Sequence, residues 1–256
     1  MNDIPKTRRT RADALRNREQ ILRAAVELMV EHGPTVPLET IARRAGVGIA
    51  TLYRHFPDRT VLLRQLALDL LTQSATAAEV ALAEEPDAFT ALARYLHDAI
   101  DLRIGVVMPM VAERMLMDEE VLAARNASRR KLAEIVQAAH DEGSLRPDVG
   151  SGDIGLLVTR MAPPLPAISP EDNHRLSHRH MELVLDGLLG FLAYDSLPGR
   201  PLALEELGQL PRDGDGNFLP VMEGSTDRCW ESINRQNSLK NGAVAGNEGR
   251  STTSGS

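Results

Sequence analysis

The sequence predicts an all-α protein built of successive helices. Three observations lead there. Aromatic residues make up 3% of the 256 positions and hydrophobic residues 43%, so the core rests on Leu, Ala, Val, Ile and Met. Ala and Leu head the helix scale, and the aromatics that favour strands are scarce. Apolar residues recur three and four apart over long stretches, the period of one helix face. Between those stretches stand signals that end one helix and start another: His32-Gly33-Pro34, Pro57-Asp58, Pro86-Asp87, Gly143 and Pro163-Pro164.

Residues 1–11 hold Lys6, Arg8, Arg9 and Arg11 against Asp3 alone. They read as a basic disordered arm, able to lie along phosphates or to serve as a solubilising tail. Over 14–31, Leu15, Ile21, Leu22, Ala25, Leu28 and Met29 keep helical spacing, and Gly33-Pro34 ends the run. Pro37 suits the first turn of the second helix, where its missing N–H would be unpaired anyway. Residues 38–44 form that helix, Ala45-Gly46-Val47 the turn, and a short third helix runs to Phe56 before Pro57. Asp58 is the N-cap of a long fourth helix through Val61, Leu62, Leu66, Leu70 and Leu71 towards Glu85.

Further helices are expected over 88–102, around 108–117 and over 118–141, the last with Val121, Leu122, Leu132, Ile135, Val136 and Ala139 inward. Two more follow over 153–161 and 174–193, the second carrying Leu183, Val184, Leu188 and Phe191. From 198 to 256, Gly, Asn, Ser and charged residues dominate and periodicity fades, so this tail reads as largely disordered.

The third helix carries the chemistry. Leu52 and Phe56 stand four apart and share a side that can face a core. Thr51, Tyr53, Arg54 and His55 give the rest of the helix more hydrogen-bonding groups than a buried stripe tolerates. Such a helix, preceded by another helix and a glycine turn, suits the major groove of DNA.

From about 16 to 71 the chain resembles the DNA-binding domain of the tetracycline-repressor (TetR) family of bacterial regulators. The resemblance is carried by the run from Ile21 to Met29 with His32-Gly33, by Ala45-Gly46-Val47, and by Thr51-Leu52-Tyr53-Arg54-His55-Phe56-Pro57. It implies that Gly48, Ile49, Ala50 and Thr51 lie nearest the bases, with Thr51 on a base edge and Ile49 and Ala50 against thymine methyls. Tyr53 and His55 would meet phosphates, Arg54 a phosphate or a guanine. Arg59, where the family usually has Lys, would hold a phosphate with the help of the next helix's N-terminus. The chain departs from the family at Pro37, usually Ser or Thr, at Gly48, usually Ser, and at Thr60, often Glu.

The resemblance also implies an organisation. Residues 12–72 would be the DNA-binding domain, with the helix-turn-helix at 37–56, and 73–197 a helical effector-binding and dimerisation domain. The expected function is sequence-specific transcription regulation by a homodimeric repressor, released from a palindromic double-stranded operator by a small-molecule effector. Two other readings stay open: a regulator controlled by a protein partner without a small ligand, and an enzyme or interaction domain that uses the helix-turn-helix as a scaffold. Met108, Met110, Met115 and Met117 read as core filler or as the lining of a pocket for an irregular apolar effector, in the region where the family's pockets lie.

The net charge of −7 divides unevenly. Residues 1–64 hold 12 Lys and Arg against 7 Asp and Glu, and the remainder 17 against 29, so a +5 head sits on a −12 body. Cys229 is the sole cysteine, which excludes an intramolecular disulfide framework and fits the cytoplasm. No apolar run approaches the eighteen residues of a membrane span, and no leader is indicated.

No catalytic constellation, cofactor motif or metal site is expected. Gly46-Val47-Gly48 lacks the strand and third glycine of a dinucleotide loop. Residues 213–217 resemble a calcium loop but carry Phe218 where Gly is needed and Gly224 where Glu should ligate. His174, His178 and His180 read as a solvated helix start, with no Cys nearby and with Arg175 and Arg179 opposing a cation.

Overall fold

The computed structural model describes residues 6–112, 118–165, 167–189 and 197, with side chains from Asp13 onward. All of these except Leu197 belong to one unit of the chain. Its helices are α1 (Lys6–His32), α2 (Leu38–Arg44), α3 (Ile49–His55), α4 (Arg59–Glu84), α5 (Ala88–Asp101), α6 (Ile104–Ala112), α7 (Glu119–Asp141), α8 (Ser151–Met161) and α9 (Pro170–Leu188). The architecture is all-α, with no strand among the described residues.

The helix ends follow local chemistry. Asp58, Asp87 and Asp118 each cap a helix, their carboxylates accepting the N–H of Val61, Thr90 and Val121 at 2.9, 2.8 and 3.0 Å. Gly33 and Gly143, at φ +81° and +69°, close α1 and α7 in the left-handed region. At α8 the Asp153 carboxylate reaches back to the Gly150 N–H at 2.8 Å.

Several sequence expectations are corrected here. Residues 6–11, expected in a disordered arm, continue α1, because no Gly or Pro interrupts 6–32 and Lys and Arg are good helix formers. Pro37 is the N-cap of α2 rather than its first helical residue; its carbonyl accepts from Thr40 and Ile41 at 3.0 and 3.2 Å. Helix α9 starts four residues before His174, because Ser169 caps it and Pro170 occupies its first turn. Leu122, expected inward, is exposed, as are Leu15 and Leu183. The tail 198–256, with Met115, Met117 and Phe191, lies outside the described residues.

Two cores share α4. The first gathers Ile21, Leu28 and Met29 of α1, Ile41, Leu52 and Phe56 around the turn, Leu62 to Leu71 of α4, and Val107 and Val111 of α6. The second gathers Ala78 and Ala81 of α4 with Leu92, Leu96, Ile135, Ile154, Met181 and Leu185 of α5, α7, α8 and α9. Between them Ser74 of α4 bonds both Tyr95 and Ser128 at 3.0 Å, so the hydroxyls buried at the seam are paired. Met108 and Met110 pack against the first core, where adaptable side chains fill the gap between α6 and its neighbours.

Candidate nucleic-acid interface

Helix α3 has the two sides its sequence suggests. Leu52 and Phe56 are 0% and 1% exposed and anchor it to the first core. Ile49 and Tyr53, at 38% and 44%, are large side chains on the solvent side, where burying them against the protein would be the ordinary outcome. Gly48, Ala50 and Arg54 are exposed beside them, and Thr51 and His55 are half-buried. The Arg54 guanidinium donates to the Thr51 hydroxyl at 2.9 Å, which leaves that hydroxyl its own hydrogen to offer. The seven residues expected on α3 and its cap are thus all exposed or half-buried.

The turn before α3 depends on Gly46, whose φ of +69° lies in the left-handed region. Around it Ala45 N–H bonds the Ile41 carbonyl at 2.9 Å and Val47 N–H the Ala42 carbonyl at 3.0 Å, which closes α2 and swings the chain into α3.

Arg59 has partners within the protein as well. Its guanidinium donates to the backbone carbonyls of Pro34, at 2.9 Å, and Val36. The N-terminus of α4 beside it is occupied by the Asp58 carboxylate. Here Arg59 braces the α1–α2 connection against α4 with two of the five N–H donors of its guanidinium.

Three further supports were not visible in sequence because their partners lie far away along the chain. Arg44 at the end of α2 bonds Glu31 at 2.9 Å and Glu27 at 3.2 Å on α1. Its hydrogen bond holds the Glu31 carboxyl below the usual range. Arg18 of α1 stands 5.7 Å over the Phe56 ring, a cation–π contact behind the recognition surface. Arg64 of α4 pairs with Asp118 and Glu120, joining the DNA-facing half to α7.

Residues 21–66 match the model of the bacterial regulatory proteins of the tetR family, and 87–189 match the C-terminal domain of SbtR-like transcriptional regulators. The HTH-type transcriptional repressor LfrR of Mycolicibacterium smegmatis is 34% identical over 137 residues, spanning 54% of this chain and 70% of that one. The chain belongs to the TetR family. TetR-family proteins are DNA-binding transcription regulators, not enzymes, and the helix-turn-helix built here on α2 and α3 is the element that defines their N-terminal domain.

A TetR transcriptional regulator of Streptomyces coelicolor shares the fold with TM-score 0.51 and 31% identity, over 68% of this chain and 98% of its own. The structure of LfrR from Mycobacterium smegmatis, solved in complex with proflavine, gives TM-score 0.50 and 25% identity over 70% of this chain and 99% of its own. Among the described residues no helix is long and apolar enough to cross a membrane.

Proposed function

We propose that this TetR-family regulator is a homodimeric repressor whose α3 reads a near-palindromic operator and whose C-terminal helices bind a small-molecule effector that releases it. The observation that carries the DNA reading is the outward set Gly48, Ile49, Ala50, Thr51, Tyr53, Arg54 and His55 on a helix whose other side is fully buried. Ile49 and Ala50 would meet thymine methyls, Thr51 and Arg54 base edges or phosphate, and Tyr53 and His55 phosphates. In a twofold dimer the two copies of α3 would lie about 34–36 Å apart, one turn of the duplex. For the dimer face, α9 offers the exposed Leu183, and its neighbour α8 offers the half-buried Leu156.

An effector is supported by the LfrR complex with proflavine and by a cleft of about 500 Å³ in this chain. Val30, Glu31 and His32 at the end of α1 form one wall, and Arg103, Leu165, Ile168 and Asn173 form others. The size suits a small organic ligand. Its walls join the DNA-facing half to the α8–α9 connection, so a ligand that prefers one arrangement of those walls would shift the spacing of the two α3 helices. Met108 and Met110 pack outside this cleft and would act as yielding contacts between α6 and the first core.

The test is binding to DNA flanking the protein's own coding region, at two salt concentrations, for wild type and Tyr53→Ala. A palindromic footprint that weakens with salt and disappears in the variant is the expected result. Binding that the variant leaves unchanged, to selected random DNA as well as to the flanking region, would remove α3 from the interface.

A further inference from the structure

A cluster of histidines and carboxylates joins α5 to α9, away from the DNA surface. His174 and His178 stand one turn apart on α9, and both approach Asp101 at the end of α5. The His178 Nε2 lies 2.9 Å from Asp101 Oδ1, and the His174 Nε2 lies 3.5 Å from the same oxygen. One ligand atom from each of the three residues falls within 4.8 Å of the other two. On the far side, His178 Nδ1 meets His97 Nδ1 at 2.6 Å, and His97 Nε2 meets the Glu182 carboxylate at 2.8 Å.

Glu182, His97, His178 and Asp101 make three contacts in series, each needing one bridging hydrogen. Two neutral imidazoles bring two, which leaves one contact open, and a protonated ring would bring the third. If His97 donates to Glu182 and His178 donates to His97, the His178 Nε2 lone pair faces the Asp101 carboxylate with nothing between them. That is the tautomer in which a metal-binding histidine is held: one nitrogen free for the ion, the other N–H fixed by an outer partner.

We propose that Asp101, His174 and His178 form a site for a divalent transition-metal ion of the zinc, nickel and cobalt class, with His97 and Glu182 orienting His178 from behind. Two ligands each about 2.0–2.1 Å from such an ion lie about 2.9–3.4 Å apart between right-angle and tetrahedral geometry. Of the two distances to Asp101, 2.9 Å lies in that range and 3.5 Å just above it. Two imidazoles and one carboxylate suit this borderline class better than calcium or magnesium, which take oxygen.

Arg175 and Arg179 do not oppose a cation here as their place in the sequence suggests. The side chain of Arg175 is 78% exposed and paired with Asp172 at 2.7 Å, and Arg179 is exposed. Arg175 stands about 100° around the helix from His174, and Arg179 about 100° from His178. The cation that does face the cluster is Arg103, whose Nη2 lies 3.4 Å from His174 Nδ1. As an obligate donor it favours the His174 tautomer that withholds Nε2 from a metal, so loading requires it to move aside. Arg103 also lines the cleft against the end of α1. The assignment stands apart from the operator reading, because metal binding alone tests it.

Untagged full-length protein, stripped with chelator and dialysed, is titrated with Co²⁺ by visible absorption and with Zn²⁺ by calorimetry, helix content being checked for every variant by circular dichroism. One equivalent is expected to bind with ligand-field bands. Asp101→Asn and His178→Ala should weaken binding at least 100-fold, and Glu182→Gln roughly 10-fold, the scale of lost outer-shell support. Arg103→Ala should tighten it by removing a charge and a competing donor. Absence of stoichiometric binding would overturn the site, as would binding that Asp101→Asn and His178→Ala leave intact. Should either variant misfold, unchanged affinity in Glu182→Gln, a side chain 66% exposed, would overturn it instead.

Discussion

Two glycines separate the cost of conformation from the cost of space. Gly46 sits at φ +69° with nothing within 4 Å of where a Cβ would stand. Gly46→Ala should therefore cost about 1–2 kcal/mol, the penalty of the left-handed region alone. Gly105 on α6 has no such φ, but a Cβ there would lie 2.4 Å from the Val158 carbonyl oxygen and 2.8 Å from Ala162 Cβ on the α8 side. Backbone cannot swing away as a flexible side chain would, so Gly105→Ala should cost at least about 1–3 kcal/mol through overpacking. Urea denaturation measures both. DNA binding discriminates further, since Gly46→Ala disturbs the turn into α3 whereas Gly105→Ala loosens α6 from α8. At the seam of the two cores, Ser74→Ala removes the shared partner of Tyr95 and Ser128 and should cost about 1–3 kcal/mol for hydroxyls left unpaired. Tyr95→Phe keeps the Ser74–Ser128 bond and should cost less; the reverse order in the same denaturation series would show that the seam does not depend on Ser74.

Helix termini were the most legible elements because their signals are local. Asp58 and Asp118 act where a carboxylate before an apolar run should, and Gly143 ends α7 as written. The start of α9 carried an equally local signal, Ser169-Pro170 followed by Glu171 and Asp172, but apolar spacing alone draws attention to its later turns. Contacts across the chain left no such mark. Nothing near Arg59 announces Pro34 and Val36 as its partners, and nothing near His178 announces His97, 81 residues away. The caps also carry a pH signature. Hydrogen bonds from Thr90 hold the Asp87 carboxyl below its ordinary 3.8, and bonds from Arg64 and then Val121 do the same for Asp118. A lowered folded value means stability that is present above about 4 and lost as pH falls through the folded value. The melting temperature should accordingly be flat with respect to these groups above pH 5 and fall in acid. Asp87→Asn keeps an oxygen for the Thr90 N–H but no longer titrates, so it should change stability little at pH 7 and make the acid fall shallower. An unchanged acid profile would mean that this cap is not ionisation-dependent.

At the scale of the whole molecule, charge and helix continuity point the same way. Helix α4 contributes to both cores, and α6 lends Val107 and Val111 to the first while Gly105 lies against α8. An event among the C-terminal helices therefore has packed routes to α3 that need no loop to stiffen. The charge is split across the same length, +5 over residues 1–64 and −12 over the rest. If DNA meets only the head, its affinity should follow the phosphates neutralised there, with log K falling against log salt by about 0.9 for each one. Arg8, Arg9 and Arg11 extend the basic run into the first turns of α1. Removing Arg8 and Arg9 together should lower the slope by about 1.8 if both neutralise phosphates, weakening specific and nonspecific duplexes alike. Arg54→Ala should behave differently if it reads a base, weakening the operator more than random DNA. Glu119→Gln and Glu134→Gln on α7, in the acidic body, should leave the slope untouched. A slope that responds to the α7 changes but not to Arg8 and Arg9 would put the duplex on the wrong end of the molecule, because salt dependence counts the phosphates a surface neutralises wherever that surface lies.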